Sequence, residues 1–163
     1  MTPSIDDRLA SVIRSLSDLI LPSLPSSQAL AIEQAHLCIG QLQIMRAQLD
    51  AAPAFEQEEA DDARALATAL LVGATGGPET VKAAEALRAE LAATPAGEKV
   101  RETRIRLNGA IDVLIRKMAV DGAADYRAAA SRTIISMEAR RTYKDRLWFA
   151  PMGFDTDIAP VEV

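Results

Sequence analysis

Glu33 and His36 stand three residues apart in Glu33-Gln34-Ala35-His36. Ferritin-like bundles use this Glu-x-x-His spacing to hold a pair of metal ions, because on a helix both side chains reach the same point. The full set takes a second such pair and two more inward glutamates. His36 is the one histidine in the chain, so the second pair is missing. Only Glu102 and Glu138 offer themselves from other segments, and neither falls on a clearly apolar stripe. A metal-dependent enzyme with Glu33 and His36 as ligands is therefore the third-ranked reading. The plainer one is a polar His36 at the edge of the core, bonded to Gln43, with no metal and no cofactor. Cys38 is two residues from His36 and projects about 160° away from it on a helix. That excludes a local thiol–imidazole pair, and a buried structural cysteine is expected.

Gly73-Ala74-Thr75-Gly76-Gly77-Pro78 has the glycine content of a phosphate loop. It lacks the lysine and the Ser/Thr of such loops, and no strand precedes it, so an ordinary connection between helices is expected. Three further groups are candidates for binding. His36, Gln43, Arg104, Asn108 and Asp112 are polar positions on or near apolar stripes of two long helices, where they form either a small-ligand pocket or a device that sets helix register. Arg140, Arg141 and Lys144 belong to the densest basic segment, 140–146, which suits an anion or an acidic protein partner. Trp148, Phe149 and Phe154 concentrate half of the six aromatic residues beside Met152. They make either a tail folded back on the bundle or an anchor for a partner.

These residues need helices to carry them. Alanine is abundant, apolar residues recur at three and four, and no alternating β-branched run exists. A first helix is expected over 4–21, opened by Ser4 with Asp7 and ended by Pro22. A second runs from Ser26 or Ser27 to about 51. It is apolar on one side at Ala31, Ala35, Cys38, Leu42, Met45 and Leu49, and on the other at Leu30, Leu37 and Ile44. Two apolar sides place it centrally or in a subunit interface. Further helices are expected over 55–73, 78–93, 95–120 and 123–147, with breaks at Pro53, the 73–77 glycines, Thr94-Pro95 and Asp121-Gly122. The fold class is all-α: an antiparallel bundle of five or six helices over 1–150, as one domain, with an extended tail over 151–163.

Length and charge agree with this. A chain of 163 residues with 49% hydrophobic and 25% charged residues builds one core of fair size. No apolar run approaches the ~20 residues of a membrane span, and the start lacks the pattern of a secretory signal, so a cytoplasmic protein with no membrane partner is expected. One cysteine excludes an internal disulfide framework. The net charge of −5 argues against generic nucleic-acid binding. It hides a contrast of −8 over 1–98, +6 over 99–146 and −3 over the tail. Packing the two halves together neutralises most of that.

The stretch from Ile5-Asp6-Asp7-Arg8-Leu9 to Leu19-Ile20-Leu21-Pro22, followed by Gln34-Ala35 and Leu42, resembles a group of small, all-helical, uncharacterised bacterial proteins. These are encoded near phosphotransferase-like enzymes and acyl-CoA dehydrogenases. The resemblance covers about the first 50 residues and implies an accessory protein, with no functional residue to carry over. The leading expectation is a non-enzymatic accessory or interaction protein, working as a homodimer. A helical binding module for a small anionic or acyl-type ligand comes second.

Overall fold

The structure, a computed structural model, describes residues 2–150 and is all-α. The extended tail expected over 151–163, with Met152 and Phe154, lies outside the described residues. Where the sequence suggested one bundle over 1–150, the contacts fall into two compact units, Met1–Pro53 and Ala54–Val163. Nothing in the composition announces the division, since only residues 49–51 separate the helices on either side.

In the first unit, α1 (Ile5–Arg14) opens on the expected capping box. The Asp7 N–H donates to Ser4 Oγ at 3.1 Å, and the Ser4 N–H donates to the Asp7 carboxylate at 3.1 Å. Helical structure continues through a π-helical stretch, Ser15–Ile20, and a last turn, Leu21–Ser23. The expected stop at Leu21 is therefore two residues early. The wider winding lets the Leu21 N–H reach back to Leu16, and the Ser23 hydroxyl donates to the Leu19 carbonyl at 2.6 Å. These bonds keep the last turn closed although Pro22 has no N–H of its own.

α2 (Ala29–Gln48) starts later than expected, because the Gln28 N–H closes a turn on the Pro25 carbonyl at 2.8 Å. α1 and α2 pack antiparallel, tied where the Arg46 guanidinium straddles the Asp6 carboxylate at 2.5 and 2.9 Å. The inner face of α2 runs along Ile32, Ala35, Ile39 and Leu42, rotated from the expected one. Cys38 consequently is exposed and not a buried structural cysteine. Leu30 and Leu37 stay exposed on the second apolar side, while Ile44 is buried there.

The second unit holds α3 (Ala52–Leu71), α4 (Pro78–Ala92), α5 (Val100–Asp121) and α6 (Ala124–Phe149). Its core is built on Leu66, Leu70, Leu87, Leu107, Ile111 and Leu114, with Ala67, Ala83, Ala84 and Ala130 between them. The alanines and Thr80 let α4 and α5 run close and antiparallel. α5 starts at Val100 rather than 95. Glu98 is drawn instead to Arg106 at 2.7 Å and to the Thr103 hydroxyl at 2.8 Å, and these bonds hold its carboxyl down at about 2. The Lys99 N–H donates to Glu102 at 3.0 Å and so closes the first turn of α5. Tyr126 on α6 donates its buried hydroxyl to the Leu70 carbonyl at 2.7 Å, satisfying a free carbonyl at the end of α3.

The glycine loop meets the end of α5. The Gly77 N–H donates to the Asp121 carbonyl at 2.8 Å, and the Ala123 N–H to the Thr75 carbonyl at 3.0 Å. The Asp121 carboxylate accepts from the Glu79 and Thr80 N–H groups, each at 2.9 Å, and from the Thr80 hydroxyl at 2.6 Å. A carboxylate 41 residues away in sequence from Thr80 thus caps the positive end of α4. A Cβ on Gly76 would sit 2.7 Å from the Asp121 carbonyl oxygen, and one on Gly122 would sit 2.5 Å from the Met118 carbonyl oxygen. The loop and the end of α5 come this close only with glycine at 76, while Gly122 is required by the last turn of its own helix.

Asp121→Ala is expected to lower the urea midpoint more than Asp125→Ala, on the neighbouring exposed turn, does. Tyr126→Phe, measured the same way, is expected to cost about 1 kcal/mol. Equal midpoints for the two aspartate variants would remove the cap from the account.

Candidate functional site

At one end of the second unit, α3, α5 and α6 bring charged residues around Glu59. The acidic run 56–62 reads from sequence as the favoured charges of a helix start. α3 starts at Ala52, however, so Glu59 lies two turns in, on the stripe of Ala63, Leu66 and Leu70 that faces the core. Its side chain is 5% exposed. Arg104 Nη1 of α5 lies 3.3 Å from Oε2, Arg141 Nε of α6 lies 3.6 Å from it, and Lys144 Nζ of α6 lies 2.8 Å from Oε1. Lys144 also holds Asp62, and Arg141 holds Glu138 at 3.3 Å. The Lys144 ammonium stands 5.3 Å over the Phe55 ring, which stacks on Trp148 with centroids 4.2 Å apart.

The titrations follow from this. Burial pushes the Glu59 carboxyl up, but Lys144, Arg141 and Arg104 together outweigh it, and the group sits below the usual glutamate range. Burial works against the Lys144 ammonium, and Asp62 and Glu59 more than restore it, so its pKa is raised. Asp145 goes the other way: burial, with the Glu59 charge added, holds its carboxyl above the usual range.

Beside this cluster α3, α5 and α6 enclose a cleft of about 530 Å³. Ala63, Leu66 and Met137 give it an apolar wall, and Asn108, Arg140 and Tyr143 line it with polar groups. Neither His36 nor Cys38 lines it. Its own groups suit ionic and hydrogen-bonded recognition.

Of the residues singled out from sequence, Asn108, Arg140, Arg141 and Lys144 line the cleft, and Arg104 reaches Glu59. Asp112 is held by Arg116 on its own helix at 2.8 Å. His36 and Gln43 belong to the first unit, where both are exposed and no hydrogen bond joins them. The five residues of the expected pocket thus divide between the two units. Trp148 is engaged with Phe55, and Phe149 is exposed. Glu33 and His36 are exposed, and among the described residues no group of three or more His, Cys, Asp or Glu side chains is placed to hold a metal ion. Residue type and spacing within the acidic run do not single out Glu59 and Asp62. The signal that finds Glu59 is its four-residue spacing to Ala63 on a stripe otherwise apolar.

Comparison with protein-family models, with curated proteins and with solved structures finds no match for the chain.

Glu59→Ala is expected to destabilise the fold by about 2 kcal/mol, less than a fully enclosed pair because its three cations keep partial contact with water. The Glu59 pKa is lower in the folded chain, so its stabilisation is complete above the unfolded value near pH 4 and is lost as pH falls through the folded one. The gap in unfolding free energy between wild type and Glu59→Gln, read by urea denaturation, is expected to shrink between pH 7 and pH 3. A gap that stays constant would show that the ionised carboxylate is not what the cations hold.

Proposed function

We propose that this chain is a non-enzymatic accessory protein that works by binding protein, with a second copy of itself as the first partner. The observation that supports it most is the surface of the first unit. Leu30 is 71% exposed, Leu37 54% and Leu19 67%, and Ile5 and Val12 are exposed with them, whereas Ile39 and Ile44 are the two residues buried there. A hairpin of two helices with so thin a core gains stability from burying these side chains elsewhere. Leu30 and Leu37 are seven residues apart, as are Ile5 and Val12, the repeat that suits helix-on-helix packing at a small crossing angle. Two hairpins laid against each other about a two-fold axis make a four-helix bundle.

An acidic protein partner at 140–146 is a second element of the proposal. Arg140 supports it, as an exposed cation of that segment with no ion pair among the described residues. Placement in a bacterial cytoplasm belongs to the same reading. The exposed thiol of Cys38 suits a reducing compartment. Among the described residues no helix is long and apolar enough to cross a membrane.

Light scattering coupled to gel filtration is expected to give twice the chain mass for the wild type. Leu30→Ser with Leu37→Ser is expected to give the single-chain mass with unchanged helical circular dichroism, since both side chains are exposed in the single chain. A wild type that stays at single-chain mass at every concentration tested rejects the self-association. A double variant that stays dimeric moves the interface off α2.

A further inference from the structure

The polar groups of the cleft divide into those already used and those left over. Lys144 is held by Glu59 and Asp62, and Arg141 by Glu59 and Glu138. Every carboxylate that lines the cleft is therefore matched to a cation. Arg140, Asn108 and Tyr143 also line it, and among the described residues none of their side chains has a hydrogen bond or an ion pair. The unspent capacity is mostly that of donors: the fork of a guanidinium, an amide NH₂ and a phenol O–H. Ala63, Leu66 and Met137 line it too and offer a ligand apolar contact alone. The volume of about 530 Å³ lies in the range of small-molecule sites.

We propose that this cleft is a binding site for a small organic monocarboxylate, whose head pairs with Arg140, Asn108 and Tyr143 and whose apolar body lies along Ala63, Leu66 and Met137. The sign of the head follows from the surplus of donors. A ligand amine would have to take a carboxylate from a cation that already holds it. The single charge follows from the single unpaired cation. A carboxylate carries one negative charge at neutral pH and matches a guanidinium through two parallel hydrogen bonds, whereas a phosphate monoester brings nearly two charges to the same place. The apolar wall requires a body longer than the head alone. The site differs from the pocket expected from sequence, because Arg104 is spent on Glu59 and Asp112 on Arg116. The inference is independent of self-association, which rests on the first unit.

The test is calorimetric titration of the full chain with octanoate, and with acetate, octan-1-ol, octylamine and octyl phosphate as comparison probes. Octanoate is expected to bind saturably at one site per chain, at least tenfold more tightly than acetate, which lacks the body, and than octan-1-ol, which lacks the charge. Arg140→Gln is expected to weaken octanoate about tenfold and leave octan-1-ol unchanged. Arg140 is exposed, so the variant keeps its fold, and circular dichroism checks this. Ala65→Trp, at another exposed position on the rim, is expected to abolish binding by filling the cleft. The proposal is overturned by absence of saturable octanoate binding, or by octan-1-ol or octylamine binding as tightly as octanoate. An unaltered affinity in Arg140→Gln, or a preference for octyl phosphate, overturns it as well. None of these outcomes changes the mass read by light scattering, so failure here and failure of the dimer are separate results.

Discussion

A carboxylate withdrawn from water has to be neutralised where it sits, and at Glu59 this requirement organises one end of the second unit. Three cations from two helices converge on it, and two of them are then placed for a second duty. Lys144 reaches Asp62 and the Phe55 ring, and Arg141 reaches Glu138. The cleft takes its shape from that convergence. Move Glu59 one position along α3 and the cations lose their common target. The opposite charges of 1–98 and 99–146 neutralise each other here through specific pairs between α3 and the two later helices, where a diffuse attraction between halves would not define a site.

How much of this can be read from the chain depends on the range of the interaction. Helices set by local rules are readable. Ser4 and Asp7 form their box, Pro78 opens α4, and Asp121-Gly122 ends α5. The differences arise where a distant or unusual bond intervenes. Glu98 prefers Arg106 to a place in a helix, so α5 starts late. The π-helical stretch carries α1 past Pro22. Cys38 shows the weakness of a stripe drawn on a helix that is apolar on two sides: a rotation of under a quarter-turn, toward Ile32 and Ile39, puts the thiol in solvent.

The candidate site was half readable for the same reason. Asn108, Arg140, Arg141 and Lys144 stood out by residue type, near stripes or in a basic run. Glu59 is hidden among five acids that share one expectation, a favourable helix start, which none of them meets because α3 starts at Ala52 with no acid in its first turn. Joining His36 and Gln43 to Arg104 presumes a single bundle, and the break at Pro53 reads from sequence like any other break between helices. The aromatic cluster was visible, but the partner of Trp148 was not, because Phe55 lies 93 residues earlier and only the antiparallel course of α3 and α6 brings them together.

The junction of the glycine loop with the end of α5 bears on how relatives of this chain are to be found. Gly76-Gly77-Pro78 and Asp121-Gly122 are short and common when taken singly. The backbone contact between them makes the loop conditional on the helix end, since a side chain at Gly76 collides with the Asp121-Gly122 main chain and the Asp121 carboxylate fills the place a ligand anion would take at α4. Divergence that erases every other similarity has to change both segments together or neither. A linked pattern of the two segments, set at a helix-to-helix connection and at a helix end some forty residues on, is therefore a more durable marker of kinship than overall identity.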